Sequence, residues 1–383
     1  MLCESFFSLM PMFAALFWAV LFFLDGKGNL PRTYLGVFFS VAFVNYMAHA
    51  SFFLREYRLF AFLENVWVFT SLVSYPLFYY YLRLITRDTR VDWRWLWITL
   101  PAAALSLFSF ALYFHMSDGE LSSFVHHGMY HEGGAAAATL PVRLQMARGV
   151  LFKWVYAVQL AAVVFFGVRM VNRYNERLQH FYSDTQGRDL TSFRTLLFGM
   201  LFASVVSAFS VFIGKDYFVG GGLLLAVPST LHTAFLYWVA FAGYNQRFTI
   251  ADFNRDMGGR QAESTPGDGD GSELARLIEK AMDEDMAFTK ADLKLSDLAA
   301  MLHTNRSYVS AAINSHLHTD FCTYVNRRRV DYAKRLMDTP ANSAMSLDAI
   351  AEMAGFSNPT TFYRAFKKYA GTTPGEYLHR ARP

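Results

Sequence analysis

The sequence has few charged residues and few cysteines. Of its 383 residues only 17% are Asp, Glu, Lys or Arg, whereas 54% are hydrophobic. That balance is too apolar for an ordinary soluble protein. The two cysteines, Cys3 and Cys322, lie at opposite ends of the chain. They therefore exclude a disulfide framework, and Cys322 fits a reducing compartment.

The sequence also lacks the short motifs that are typical of enzymes. No metal-binding motif, nucleophile elbow or phosphate-binding loop occurs, and the glycines at 220–222 alone do not form one. We therefore expect no enzyme, no catalytic residue, no cofactor and no metal site. One alternative concerns the loop 116–146, where several histidines and Glu132 could hold zinc, although their spacing matches no firm ligand pattern.

Long apolar runs dominate residues 1–250. The first run contains no charge and reaches about 30 Å as a helix, which is enough to cross a bilayer. It lacks the basic start and the small-residue cleavage site of a signal peptide. We therefore predict an all-α fold that begins with a seven-helix transmembrane bundle over residues 1–250. The runs lie at residues 5–24, 33–54, 60–84, 95–115, 147–170, 194–213 and 221–243.

The basic residues of the loops predict the orientation of this bundle. If the N-terminus lies outside, the inner loops carry eleven Lys and Arg residues and the outer segments carry five. Seven crossings then place the C-terminus in the cytoplasm.

Five polar residues inside the predicted spans define a candidate signal site, because polar groups are costly in lipid. Some of them fall in the outer half of the bilayer, where they could line a pocket open to the outside. In that arrangement Glu64 and Lys153 would form a partly buried ion pair. The alternative is a set of clamps that holds the helices together. The five residues are Asn45, His49, Glu64, Lys153 and His232.

The composition changes after residue 250. Residues 251–272 predict a flexible acidic linker. Within it, Met257–Ser272 is rich in Gly, Asp and Ser and has an expected span of about 20–25 Å. Such a tether transmits torque poorly. We therefore expect the two parts of the protein to communicate by docking, dimerisation or release rather than through a rigid helix.

Residues 273–383 contain two similar helical segments. KLSDLAAMLHTNRSYVSAAINSHL (294–317) and SLDAIAEMAGFSNPTTFYRAFKKY (346–369) each predict a short helix, a polar turn and a second helix. They repeat at an offset of 52–53 residues and are joined by a predicted helix over 321–337. The pattern is typical of tandem helix-turn-helix units. The core positions expected in the second helices are Tyr308, Val309, Ile313, Phe362 and Phe366.

The tandem units resemble the DNA-binding domain of the AraC (arabinose-regulator) family of bacterial transcription factors. The second unit carries the motif IAEMAGFSNPTTFYRAFKKYAGTTPGEY, and the first carries LAAMLHTNRSYVSAAIN. One departure is His318, where the family usually has a glycine before the connecting helix. The resemblance covers roughly 90 residues and does not reach the first 250. It implies binding to double-stranded DNA and contact with RNA polymerase in a bacterium. Together with the predicted spans and their orientation, this gives an expected location in the bacterial cytoplasmic (inner) membrane.

The second helix of each unit is expected to enter a major groove. Arg306 and Arg364 are the best candidates for guanine, because arginine can pair with that base through two hydrogen bonds. Arg329 is expected to pack its stem against the core instead. The candidate base contacts are Arg306, Ser307, Ser310, Ala311, Asn314, Pro359, Thr360, Tyr363 and Arg364. The candidate phosphate contacts are Arg327, Arg328, Lys367 and Lys368.

The charge pattern agrees with this interpretation. Residues 290–383 carry thirteen basic and eight acidic residues, a net charge of +5 that suits a phosphate binder. The preceding segment, 256–285, carries a net charge of −6 and could repel DNA or cover the basic domain.

The leading hypothesis is a membrane-embedded, sequence-specific transcription regulator, a one-component sensor that couples a signal at the membrane to promoter binding. Two alternatives stay open: a membrane-anchored regulator released by proteolysis, and a transporter, receptor or enzyme module fused to a regulator. Many transporters have an internal repeat among their spans, and no clear repeat is present here, which argues against a transporter. The expected partners are double-stranded DNA, the lipid bilayer, an unidentified signal ligand or protein, RNA polymerase and, if the protein dimerises, a second copy of the chain.

Overall fold

The computed structural model describes residues 2–381 except 138, 186, 214–217, 219–221, 247, 259–270 and 343–344. Within these residues the regular secondary structure is helical, which confirms the predicted all-α class. A single isolated antiparallel bridge joins Tyr182 to Lys294. The chain forms two compact units. The first comprises Met1–Val171 and Leu190–Ile250, and the second comprises Asn172–Asp189 and Ala251–Pro383.

Long helices build the first unit. A 3-10 segment, Trp93–Thr99, precedes the fourth helix, and a π-helical turn, Phe124–Met129, follows the fifth. The sixth helix begins in the first unit and ends in the second. The helices are α1 (Leu2–Asp25), α2 (Leu30–Phe53), α3 (Tyr57–Thr86), α4 (Leu100–His115), α5 (Asp118–Ser123), α6 (Leu140–Phe181), α7 (Thr191–Ile213) and α8 (Gly222–Asn245).

Each of the seven predicted runs falls on a long helix of the first unit. Five stretches in the described part of the chain are long and apolar enough to cross a membrane. Neither α3 nor the described apolar part of α7, Thr191–Val206, is among them, so the count of seven crossings stays a prediction. The five stretches are Ser5–Asp25, Leu30–Phe53, Trp93–His115, Leu140–Phe181 and Leu224–Met257.

The first unit is held together by contacts between helices that follow one another, with α1 also packed against α8. Aromatic rings fill one end of its core. The rings of Phe52 and Tyr130 stack with centroids 4.3 Å apart, and the Tyr130 hydroxyl donates to the backbone carbonyl of Phe52 at 2.8 Å. Other large apolar side chains point outward: Phe114 is 79% exposed and Phe62 is 72% exposed.

Among the described residues, eight further α-helices belong to the C-terminal part of the chain. The first of them occupies the start of the predicted linker 251–272, so that stretch is helical and not a coil. Residues 259–270 of the predicted linker lie outside the described residues. The helices are α9 (Ile250–Gly258), α10 (Gly271–Asp283), α11 (Leu295–Met301), α12 (Arg306–Ser315), α13 (Phe321–Asp338), α14 (Leu347–Met353), α15 (Pro359–Ala370) and α16 (Pro374–Ala381).

The connecting helix α13 lies at the centre of the second unit. Its apolar face packs against α14, α15 and α16. The side chains of Val330, Phe362 and Phe366 are fully buried in this core. Burial of such side chains contributes about 1.5–3 kcal/mol each, which is why the two short helix pairs need α13 to hold them.

Two turns in this unit require a left-handed backbone. Gly355, in the turn between α14 and α15, has φ +83°, and a Cβ there would sit 2.6 Å from the carbonyl oxygen of Thr289. Only glycine fits this position. His318, which stands where the AraC family usually has glycine, has φ 49°. His318 therefore adopts the left-handed conformation that favours glycine, at an energetic cost.

Candidate nucleic-acid interface

Asparagine caps set the start of both second helices. The Asn305 side chain accepts from the Ser307 backbone N–H at 2.8 Å, and α12 begins between them. The Asn358 side chain accepts from the Thr361 backbone N–H at 2.9 Å at the start of α15. Each cap satisfies an amide that the helix leaves unpaired. The first residues of α12 and α15 are thereby held in a defined orientation.

The inward face of α12 differs from the prediction at one position. Val309 and Ile313 are buried, as expected, and Ala312 joins them. Tyr308 is 49% exposed, so its predicted place in the core is wrong. Successive helical residues are turned by about 100°, and the core stripe starts at Val309, which leaves Tyr308 on the outward side. Tyr308 is therefore an additional candidate contact residue, three positions before Ala311.

Most of the predicted base contacts lie on exposed surface. Arg306 and Ser310 are the half-buried exceptions. The Arg306 guanidinium donates to the backbone carbonyl of Met257, at the end of α9. The exposed residues are Ser307, Ala311, Asn314, Pro359, Thr360, Tyr363 and Arg364.

Most of the residues predicted to contact phosphates are also exposed, with one half-buried exception. Arg327, Lys367 and Lys368 are exposed. Arg328 is half-buried and forms an ion pair with Asp283. Three basic side chains are thus exposed for a polyanion, while the fourth is paired with a carboxylate of the acidic segment.

Arg329 is fully buried, which confirms that it packs into the core. Its Nε donates to the carbonyl of Phe288 at 2.7 Å, and one terminal nitrogen donates to the carbonyl of Lys290 at 2.7 Å. Burial lowers the pKa of Arg329 to about 10, and the nearby carboxylate of Asp184 opposes that shift. The residue is a structural cation that backbone carbonyls hold in place.

Three of the five candidate signal residues, Asn45, His49 and Glu64, make hydrogen bonds between helices. The Asn45 side chain accepts from Ser71 at 2.7 Å, and His49 Nε2 accepts from the indole N–H of Trp67 at 3.0 Å. The cavity beside His49 has a volume of about 10 Å³. That volume holds about one water molecule, which is too small for a ligand.

Glu64 does form a buried ion pair, but with a different partner from the predicted one. Its carboxylate accepts from Arg148 at 2.7 Å and from the Tyr113 hydroxyl at 3.1 Å. Lys153 is exposed, so the expected pair between Glu64 and Lys153 is wrong. His232 bonds to the carbonyl of Pro228 in its own helix at 2.7 Å.

One histidine of the loop 116–146 is hydrogen-bonded to a carboxylate. His126 Nδ1 lies 2.7 Å from Glu132, whose other oxygen accepts from the Tyr57 hydroxyl at 2.7 Å. These two hydrogen bonds lower the pKa of Glu132, with that from His126 as the larger cause. Across the described part of the chain, no group of three or more His, Cys, Asp or Glu residues could hold a metal ion.

Comparison with known proteins finds matches in the C-terminal part of the chain. Residues 298–380 match the family "Helix-turn-helix domain". The uncharacterised HTH-type transcriptional regulator YtdP of Bacillus subtilis is 33% identical over 93 residues, which are 24% of this chain and 12% of YtdP. The raffinose operon transcriptional regulatory protein RafR of Pediococcus pentosaceus is 34% identical over 83 residues, which are 22% of this chain and 29% of RafR.

A solved structure of a protein of unknown function from Listeria innocua is 29% identical and covers 28% of this chain and 95% of its own, with a TM-score of 0.24. The chain thus spans less than a third of the length of either curated relative. The family match, at residues 298–380, covers the tandem helical units described above. Residues 298–380 therefore form a helix-turn-helix domain, similar to those of bacterial transcriptional regulators.

Proposed function

We propose that this protein is an AraC-type transcription regulator embedded in a membrane. The observation that carries the proposal is the pair of capped second helices, α12 and α15, joined by α13 within the residues that match a helix-turn-helix domain. Exposed polar side chains cover the outward faces of both helices. Two such helices can read base edges in two major grooves of double-stranded DNA.

Two observations support the membrane part of the proposal. In the described part of the chain, five stretches are long and apolar enough to cross a bilayer. Large apolar side chains such as Phe114 and Trp154 point outward, where a water-soluble protein would carry polar groups. The excess of Lys and Arg in alternate loops favours an N-terminus outside the cytoplasmic membrane and a helix-turn-helix domain in the cytoplasm.

We infer that the polar residues of the first unit act mainly as clamps between helices. Asn45 is hydrogen-bonded to α3, and Glu64 is paired with Arg148 of α6. A signal that changes the packing of these helices would break or exchange such bonds. The one-component mechanism therefore needs a change in helix packing and does not need a large ligand cavity.

The experiment compares two cations on α15 that lie four residues apart. Full-length protein in lipid nanodiscs is titrated with duplexes recovered from a genome-wide DNA-occupancy map and with random duplexes of equal length. Arg364→Ala should weaken binding to the recovered duplexes about 5- to 150-fold and change random binding little, because a bidentate base contact contributes about 1–3 kcal/mol of discrimination.

The matched variant Lys368→Ala should weaken binding to both kinds of duplex by a similar factor, because a phosphate contact carries no sequence information. Equal losses on both duplexes for both variants would contradict the assigned roles. Absence of binding to every duplex by the wild-type protein would contradict the proposed function itself.

A further inference from the structure

The loop between α6 and α7 is built into the second unit. At its centre lies Ser183, whose backbone N–H and hydroxyl both donate to the carbonyl of Leu293, at 3.2 and 2.7 Å. The Ser183 carbonyl accepts from the Asn326 side chain at 2.8 Å and from the Cys322 thiol at 3.4 Å. Tyr182, Ser183 and Asp184 are all buried. This loop is therefore docked on α13, more than 100 residues further along the chain.

The docked loop also reaches the turn before α15 and the buried arginine of α13. The Ser183 hydroxyl accepts from Arg329 at 3.3 Å. The Asp184 carboxylate accepts from the hydroxyl of Ser357, one residue before the cap of α15. A carboxylate is thereby held beside the start of a helix that we propose to bind DNA, where it would repel phosphates.

Arg188, near the C-terminal end of the loop, anchors the loop to the second unit. Its guanidinium makes a two-pronged ion pair with Asp292, with distances of 3.1 and 3.2 Å, and lies over the ring of Tyr182 at 4.2 Å. The Tyr182 hydroxyl donates to Asp256 of α9 at 2.6 Å, and Asp256 also pairs with Lys294 at 2.9 Å. The loop and α9 are therefore joined to each other as well as to the domain.

Helix α9 contacts Arg306, one of the residues predicted to contact a base. The Met257 carbonyl accepts from the Arg306 guanidinium, and Phe253 packs against the rings of Phe181 and Tyr182. The guanidinium that we propose for guanine therefore has its hydrogen-bond capacity partly used within the chain. The match to the helix-turn-helix family begins at residue 298, so the loop and α9 lie outside the matched residues.

We propose that residues 181–185 and 187–188, together with α9, form an intramolecular latch that lowers the DNA affinity of the helix-turn-helix domain until it is released. The inference rests on the proposed function. Both ends of the loop continue covalently into the first unit, through α6 and α7. We therefore expect a change in either helix to act on the latch through this covalent connection.

The test uses full-length protein in nanodiscs with Cys3→Ser, so that Cys322 is the remaining thiol. Cys322 donates to the Ser183 carbonyl, and burial raises the pKa of this thiol to about 11, so the docked latch should slow its alkylation. Arg188→Ala should speed alkylation about fivefold and tighten binding to duplex DNA by a similar factor, since it removes a half-exposed ion pair and a cation–π contact.

Arg276→Ala is the matched control. It removes the same charge and an exposed ion pair with Glu273 on α10, away from the latch residues. Loss of a positive charge alone should weaken DNA binding. Tighter binding by Arg188→Ala with no such gain for Arg276→Ala therefore supports the latch.

Exchanging the charges of Arg188 and Asp292 gives a second, independent test of the latch. Arg188→Asp should open the latch, and adding Asp292→Arg should restore slow alkylation and weaker DNA binding. If the wild type binds duplexes and Arg188→Ala changes neither alkylation nor affinity, the latch proposal is overturned alone. If alkylation responds to the variants but no form binds any duplex, the proposed function is overturned, and with it the effect of the latch on DNA.

Discussion

Replacing Arg329 with methionine should loosen the centre of the second unit. The guanidinium donates to the backbone carbonyls of Phe288 and Lys290, each at 2.7 Å, and to that of Ala291 at 3.3 Å. It also donates to the Ser183 hydroxyl at 3.3 Å. Methionine keeps the apolar stem but supplies no donor, so these acceptors would lose their partners inside the protein.

The size of the effect follows from two opposing contributions. Each buried carbonyl left without a donor costs about 1–3 kcal/mol. Part of this loss is offset, because the variant no longer has to bury a charged guanidinium. The cost of burying that group is seen in its pKa, which desolvation lowers to about 10. We expect a net loss of about 3 kcal/mol in the free energy of opening of α13, which corresponds to roughly 100-fold faster amide exchange.

The assay is hydrogen–deuterium exchange of α13 in the full-length protein. Arg327→Met is the matched control, since Arg327 is exposed on the same helix and has its guanidinium 5.9 Å from the ring of Tyr369. That variant should change the free energy of opening by less than about 0.5 kcal/mol, and it should weaken binding to all duplexes. Equal exchange rates in the two variants would refute the structural role assigned to Arg329.

Two further variants test the turn and the thiol of the second unit. Gly355→Ala should destabilise the unit by about 3 kcal/mol or more in a thermal-unfolding assay, because its Cβ would lie 2.6 Å from a backbone oxygen. Gly371→Ala, with φ +75° but open space around it, should cost only about 1 kcal/mol, and similar losses would refute the steric argument. The pKa of Cys322 is raised to about 11 by burial, so the stability that its neutral thiol contributes is complete below about pH 9 and lost as the pH rises through 11. In the Cys3→Ser background its alkylation rate should keep rising up to about pH 11, and a plateau near pH 9 would contradict the burial.

Local patterns in the sequence predicted the long apolar helices of the first unit and the tandem helices of the second, but not the short helices α5 and α9. Apolar residues at helical spacing are short-range signals that the sequence carries openly. The caps at Asn305 and Asn358 were not predicted, although an asparagine directly before a helix is a short-range signal that could have found them. The buried position of Arg329 was also foreseen, from the resemblance to a family. The error at Tyr308 is a turn of about 100° around α12, which local periodicity does not resolve when neighbouring positions are both apolar.

The partner of Glu64 shows a second limit of prediction from the sequence. Arg148 and Lys153 both lie on α6, five residues apart, and so point about 140° away from each other around the helix axis. Which of them faces α3 depends on the rotation of α6 about its own axis, and packing against neighbouring helices decides that rotation. Both cations are present in the sequence of α6, and in the structure Arg148 is the one that pairs with Glu64.

By itself the sequence determined the all-α class, the apolar N-terminal helices and the tandem helix-turn-helix pattern, because each depends on residues within a few helical turns of one another. The tertiary structure alone decided that the loop after α6 docks on α13. The contact between Ser183 and Asn326 joins residues 143 positions apart, and no local periodicity encodes such a pairing. Its free energy comes from buried hydrogen bonds and packed rings that exist only once the chain has folded.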